Sequence, residues 1–316
     1  MHQLFISIVS KGAKSNTYKF ALAKFLLDYS KSQKLKEQDY KITYNEIATK
    51  FLEYYWFQEC KYKFKQDFNK DKVPVVIGII QKYCGTEYIS DSYENYFKER
   101  QELQQKMISE IEKKSLNNVI PRFQPQEQHY YYQHFYDRNK KGRGYKISSK
   151  KYIILKYEAL KFFKENYEIL SKILVLEWAK FLEKTNFTPK LISKIELMKD
   201  PKRSSLTKFR EVLLQMDREC FYCTKLLEDG NIHIDHFIPW SYIYEDVLWN
   251  LVPACSRCNL IKSDALPPKA CMEKIITRNE INELTTWNSN IEEYYENCYS
   301  AGFQIVKGGK LECKGK

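Results

Sequence analysis

The chain has 316 residues, 43% of them hydrophobic and 29% charged, a length that accommodates two domains with cores of their own. Its formal net charge of +12 attracts phosphate backbones, although a lysine excess is also typical of proteins encoded by low-GC genomes. No segment approaches the ~20 apolar residues of a membrane helix, and the N-terminal apolar run is too short for a signal peptide, so we expect an intracellular, cytoplasmic protein.

Residues 1–200 predict a helical domain. Apolar residues recur at helical spacing at about 16–29, 43–64, 74–83 and 93–114. Asn16 or Ser15 is a candidate N-cap of the first of these helices. Pro74 suits the start of the third helix, and Gly85 suits its end.

Residues 117–149 interrupt this pattern with two prolines and two glycines, which predicts a long loop or a linker with local structure. A short strand at 152–155 and helices at about 157–184, 189–198 and 205–215 follow. After Asp217, short apolar segments and cysteine pairs replace the long helical runs. We therefore predict a domain boundary near 199–204, with a second domain at 201–316 and its motif core at 217–266.

Two basic stretches are interleaved with aromatic residues, at 61–65 and at 130–151. Such a pattern suits phosphate contacts and base stacking, whereas the alternatives are an ordinary helix surface for the first and a solvated loop for the second. Within the second stretch, the candidate nucleic-acid contacts, called the basic loop below, are Arg138, Lys140, Lys141, Arg143 and Lys146.

Four of the nine cysteines form two C-x-x-C pairs, Cys220 with Cys223 and Cys255 with Cys258. Paired spacing of this kind in a reducing compartment predicts a four-sulfur zinc site rather than disulfides. Such a site has no open position for water, so the zinc is expected to be structural. The other five cysteines show no pairing pattern, and Cys60 and Cys84 are expected to be small core residues.

The insertion between the cysteine pairs carries Asp235-His236 and Asn250, and Asn259 follows the second pair. This order and spacing resemble the signature of HNH (ββα-metal) endonucleases, both McrA-like enzymes and the HNH domain of CRISPR effector nucleases. The resemblance covers a small part of the chain and implies a β-hairpin followed by a helix. The expected class is therefore α+β and predominantly α-helical, with a helical N-terminal domain and a C-terminal HNH domain with flanking helices.

The resemblance also implies roles for these residues. Asp235 and Asn259 match the ligands of one catalytic Mg²⁺ or Mn²⁺, although Asn259 stands where the family name has a second histidine. His236 matches the general base that activates water, and Asn250 matches the residue that orders the loop and orients that base. Lys262 is a candidate contact of the phosphate or transition state, with a solvated helix lysine as the alternative.

The chemistry agrees with these roles, because carboxylate and amide oxygens suit hard cations and a neutral imidazole suits base catalysis near neutral pH. We expect a one-metal endonuclease that hydrolyses DNA, with double-stranded DNA as its partner. A setting in bacterial defence or restriction, with a defence-system partner protein, rests on analogy, and a homodimer is a further expectation. The alternatives are a ribonuclease that uses the same site and a zinc-stabilised nucleic-acid-binding module without catalysis.

Three further residues carry two interpretations each. His233 is expected to lie on the strand surface, with an auxiliary metal or phosphate contact as the alternative. Trp240 and Trp249 are expected to pack in the core or a loop, with base stacking as the alternative.

Overall fold

The computed structural model describes all residues except 13, 68, 70–71, 90, 126–128, 139–144, 148–149, 198–204, 229, 285–289, 308–310, 312 and 314–316. The chain forms two compact units. Unit 1 comprises Met1–Thr86, Asp91–Asn186 and Leu191–Lys199, and unit 2 comprises Glu87–Ser90, Phe187–Lys190 and Asp200–Lys316. The class is α+β and predominantly α-helical, as predicted. Among the described residues, no helix combines the length and the apolar character that a membrane crossing requires.

Unit 1 is built mainly from helices. They are α1 (His2–Ile6), continued by a π-helical segment (Ser7–Lys11), α2 (Tyr18–Ser32), α3 (Tyr44–Cys60), α4 (Val75–Cys84), α5 (Tyr93–Lys98), α6 (Gln101–Lys114), α7 (Leu116–Phe123), α8 (Tyr157–Glu165), α9 (Tyr167–Leu182) and α10 (Leu191–Leu197).

Local sequence signals set several of these ends. Thr43 and Glu46 form a capping box at the start of α3, in which each side chain accepts the other residue's backbone N–H. Helix α4 begins directly after Pro74 and ends at Gly85, whose φ of 79° lies in the left-handed region that glycine adopts at little cost. The predicted helix at 157–184 is divided at Asn166, the residue between α8 and α9.

A small antiparallel sheet in unit 1 has the order β1 (Tyr40–Thr43), β5 (Tyr152–Leu155), β2 (Tyr132–Gln133). Leu155 of the central strand faces both Tyr40 and Tyr132. Ile153 and Leu155 are fully buried, so one face of the predicted strand at 152–155 packs into the core of this unit.

The segment at 117–149 contains more regular structure than a loop. It holds most of α7, then β2, and a hairpin of β3 (Tyr136–Arg138) and β4 (Tyr145–Ile147). Tyr131 and Tyr132 are fully buried, and Gln124 accepts the Tyr131 N–H and donates to the Tyr132 carbonyl. The expectation that these tyrosines offer open faces to bases is therefore wrong, because their rings pack inside the unit.

The basic loop is described only at its ends. Arg138 lies on β3 and Lys146 on β4, while Lys140, Lys141 and Arg143 lie outside the described residues. In the other basic stretch, Tyr62 and Phe64 are buried and their rings stack on each other, so they are packing residues.

Unit 2 contains short elements around its own core. They are α11 (Thr207–Met216), β6 (His233–His236), α12 (Trp240–Ile243), a 3-10 turn (Leu248–Asn250), β7 (Leu251–Ala254), α13 (Ser256–Lys262), a second 3-10 turn (Lys269–Cys271), α14 (Met272–Ile281) and α15 (Ile291–Ser300). The core combines cysteine-pair residues such as Cys220 with apolar side chains from β7, α14 and α15.

One cysteine prediction is wrong. Cys271, at the start of α14, forms a disulfide with Cys313 near the C-terminus, although neither residue showed a pairing pattern in the sequence. The two are 42 residues apart, so only the packing of the C-terminal segment brings them together. Cys60 is buried as expected.

Candidate active site

Four cysteine sulfurs converge in unit 2. The ligand atoms of Cys220, Cys223, Cys255 and Cys258 all lie within 4.8 Å of one another. The sulfurs of Cys223 and Cys255 are 3.9 Å apart, close to the about 3.8 Å expected in a tetrahedron with Zn–S bonds of about 2.3 Å. Four sulfurs are a soft donor set that suits zinc, so this cluster can bind a zinc ion.

The local backbone explains how each pair is held. The first pair lies in a tight turn, where Thr224 adopts a left-handed φ of 58° and donates its N–H to the Cys220 carbonyl at 2.9 Å. The second pair lies at the start of α13, where Cys255 is the N-cap. Burial raises the pKa of the Cys220 and Cys258 thiols, so a zinc ion would have to displace their protons.

The insertion between the cysteine pairs forms an antiparallel hairpin of β6 and β7, and α13 packs beside it. Asp235 is in register with Val252, and His236 is in register with Leu251. This is the hairpin-and-helix arrangement that the motif predicted. Both residues are largely buried, at 7% exposure each.

Asp235 is held by two neighbours. The Tyr222 hydroxyl donates to its Oδ2 at 2.6 Å, and the Lys262 ammonium lies 3.4 Å from the same oxygen. Burial, followed by the charge of Asp235, raises the pKa of Tyr222 well above its ordinary value, so this hydroxyl stays a donor. Asp235 is therefore oriented before any cation binds, and carboxylate oxygens are ligands that Mg²⁺ and Mn²⁺ prefer.

Lys262 is not a solvated helix lysine, since its exposure is 1%. It lies on the last turn of α13, and its ammonium supplies the positive charge that a buried Asp235 needs. Asn259 lies three residues earlier on α13, so it occupies a neighbouring position on the helix surface to Lys262. Within the described part of the chain, the Asn259 side chain makes no hydrogen bond.

Asn250 organises the chain that follows His236. Its side chain accepts the Ile238 N–H at 2.8 Å and donates to the Ile238 carbonyl at 2.9 Å. Its own carbonyl accepts the Phe237 N–H at 2.7 Å. Since Asn250 is fully buried, these bonds fix the two residues after His236 against the start of β7.

The His236 ring makes one hydrogen bond within the described residues. Its Nε2 lies 2.9 Å from Oδ1 of Asp246, a half-buried residue in the loop between α12 and β7. This hydrogen bond, more than any other contact, lowers the pKa of Asp246.

The structure shows where His233, Trp240 and Trp249 lie, the three residues for which the sequence left two interpretations. His233 is exposed and its Nε2 lies 2.7 Å from the Ser256 hydroxyl, at the opposite end of α13 from Lys262. Trp249 is buried and stacks on Tyr294, and Trp240 packs against Tyr244. Both tryptophans are therefore in packing contacts.

Three contacts were missed by sequence reasoning: those of Tyr222, Asp246 and Arg278. Tyr222 lies inside the first C-x-x-C pair, and its position there is a signal that could have been used. No spacing pattern in the sequence indicated that Asp246 would contact the site. Arg278 of α14 donates to the carbonyls of Leu251 and Trp249 at 2.7 and 3.1 Å, and burial lowers its pKa to about 10. It therefore anchors the start of β7 from a distant part of the sequence.

Comparison with known proteins agrees with this geometry. The family model described as HNH endonuclease matches residues 220–268, which include both cysteine pairs, the β6–β7 hairpin and α13. No curated protein and no solved structure gives a significant match. Residues 220–268 are therefore an HNH endonuclease domain, as the motif indicated. The match supports nuclease activity on nucleic acid and the use of a divalent metal.

Proposed function

We propose that unit 2 is a DNA endonuclease that hydrolyses phosphodiester bonds with one Mg²⁺ or Mn²⁺ ion held by Asp235 and Asn259. One observation carries the proposal: within an HNH endonuclease segment, Asp235 contacts Lys262 of α13, the helix that also bears Asn259, while the adjacent His236 is braced at one ring nitrogen. A module that only binds nucleic acid would need neither a braced base nor a buried carboxylate.

In this proposal, the bound ion would stabilise the charge on the phosphate, as a Lewis acid does. His236 takes a proton from a water molecule, whose oxygen forms the new bond to phosphorus. The bond between phosphorus and the 3′ oxygen breaks, and that oxygen keeps the electron pair and takes a proton from water. The products carry a 5′ phosphate and a 3′ hydroxyl.

Lys262 is proposed to have one role before the catalytic cation binds and another once the cation and substrate are bound. Its ammonium is the counter-charge of Asp235, so it must move away from a cation that approaches the same carboxylate. The nearest new negative charge is the substrate phosphate, which makes Lys262 a candidate phosphate contact. Asn250 is proposed to act by holding the chain next to His236 in place.

The zinc ion is proposed to be structural, because four sulfurs leave no coordination position for water. The wider setting is proposed by analogy: double-stranded DNA as substrate, a role in bacterial defence or restriction in the cytoplasm, and a defence-system partner protein. A single site cuts one strand, so cutting both strands requires a homodimer or two successive nicks.

The test is incubation of the purified protein with plasmid DNA and with RNA, with and without Mg²⁺ or Mn²⁺, beside the His236→Ala variant. We expect metal-dependent cleavage of DNA that His236→Ala abolishes. Cleavage that survives in His236→Ala would place the activity elsewhere, and cleavage of RNA alone would assign the same site to a ribonuclease. Binding without cleavage under every metal condition would favour the non-catalytic module.

A further inference from the structure

Asp246, which is half-buried, and His236, which is buried, form a pair that the motif does not contain. His236 is the last residue of β6, and Asp246 lies in the loop before β7. Oδ1 of Asp246 is 2.9 Å from Nε2 of His236, and the two side chains are only 18% and 9% exposed. At this depth the contact is sheltered from water and from salt.

Other neighbours also favour the ionised carboxylate. The Trp240 side chain, from the first residue of α12, lowers the pKa of Asp246. Lys208 of α11 contributes positive charge to the same group. The negative charge of Asp246 is therefore favoured by residues of α11 and α12 as well as by His236.

We propose that Asp246 is a positioning residue that selects the tautomer of His236. An ionised carboxylate only accepts hydrogen bonds, so the Nε2 atom that faces it must carry the hydrogen. In the neutral imidazole, Nδ1 is then the nitrogen with a free electron pair. Within the described residues Nδ1 makes no hydrogen bond, so it is the atom left to act as a base.

The inference rests on the proposed function of His236 and adds an orienting group to it. When the proton of the attacking water reaches Nδ1, the ring becomes an imidazolium that carries hydrogen on both nitrogens. Asp246 remains ionised and stabilises that charge through the bond to Nε2. No proton moves to Asp246, so its part is orientation and charge stabilisation rather than proton transfer.

Asp246→Asn is the discriminating variant, because it keeps the shape of the side chain but adds a donor. The side-chain amide can donate a hydrogen bond to Nε2, which stabilises the opposite tautomer of His236, in which Nδ1 carries the hydrogen. We expect kcat to fall about 100-fold, at the lower end of what a positioned general base contributes, with KM almost unchanged. Asp246→Glu retains an acceptor and is expected to recover part of the loss.

Glu245→Gln is the matched control. Glu245 is the neighbouring carboxylate, is exposed, and pairs with Lys190 at 3.1 Å. Its loss removes one negative charge from the same loop without touching His236, so kcat should stay at the wild-type value. Circular dichroism and zinc content of every variant exclude loss of the fold as the cause.

A spectroscopic readout separates this inference from the proposed function. Long-range ¹H–¹⁵N spectra assign the tautomer of each of the five histidines, with His236→Ala identifying the signal. We expect wild-type His236 to carry hydrogen on Nε2 and Asp246→Asn to shift it towards Nδ1. If the tautomer shifts in this way but the wild-type protein has no nuclease activity, the role of Asp246 in the His236–Asp246 pair stands and the proposed function is overturned. An active nuclease whose kcat and tautomer are both unchanged in Asp246→Asn would overturn the inference.

Discussion

Replacing Asn250 with alanine should destabilise the part of unit 2 that holds the β6–β7 hairpin. The side chain is fully buried and makes two hydrogen bonds, to the N–H and the carbonyl of Ile238, which is also fully buried. Alanine leaves both groups without a partner in a place that water does not reach. Each unpaired buried group costs about 1–3 kcal/mol, so the two groups together should lower the free energy of unfolding by about 2–6 kcal/mol.

Hydrogen exchange in increasing urea measures this loss locally. Peptides that cover β6 and β7 should exchange at a lower urea concentration in Asn250→Ala, while peptides of α3 in unit 1 should behave as in the wild type. Asn259→Ala is the control, since Asn259 is half-buried and makes no side-chain hydrogen bond within the described residues. It should keep the wild-type exchange pattern and lose metal-dependent cleavage. If the Phe237 and Ile238 amides of the Asn250→Ala variant exchange as they do in the wild type, Asn250 does not hold this segment in place.

Four other perturbations test separate parts of the molecule. Cys258→Ser should remove zinc, as mass spectrometry of the metal content would show, and should expose unit 2 to proteolysis while unit 1 resists. Reversing the charges of Arg138, Lys140, Lys141 and Arg143 should weaken DNA binding and flatten its salt dependence by about 0.9 per lost phosphate contact. An unchanged filter-binding titration would show that the basic loop does not contact DNA. Lys262→Met leaves Asp235 without its counter-charge, so Mn²⁺ should raise the melting temperature more in this variant than in the wild type. Burial, more than the nearby Lys19, lowers the pKa of Lys14 from 10.5 to about 8. Between pH 8 and pH 10.5, Lys14 therefore binds fewer protons in the folded chain than in the unfolded chain. Urea titrations should therefore show wild-type stability rising relative to Lys14→Met from pH 8 to pH 10.5.

Short-range patterns in the sequence were enough to predict the local parts of the site. The two C-x-x-C pairs, the Asp235-His236 step and the later asparagines indicated the family, the hairpin and the helix. The same was true of a helix at the position of α3 and of α4 between Pro74 and Gly85. These features depend on a few neighbouring residues, through backbone hydrogen bonds and restricted φ angles, so their spacing is visible in one dimension.

Only the tertiary structure decided which side chains hold the site in place. Asp246 contacts His236 across a loop, Arg278 reaches the carbonyls before β7 from α14, and Cys271 meets Cys313 from far along the chain. Tyr131 and Tyr132 looked like a stacking surface in the sequence and are core residues in the fold. Burial and contacts between distant segments depend on how helices and strands pack, and no periodicity or spacing in the chain records that packing.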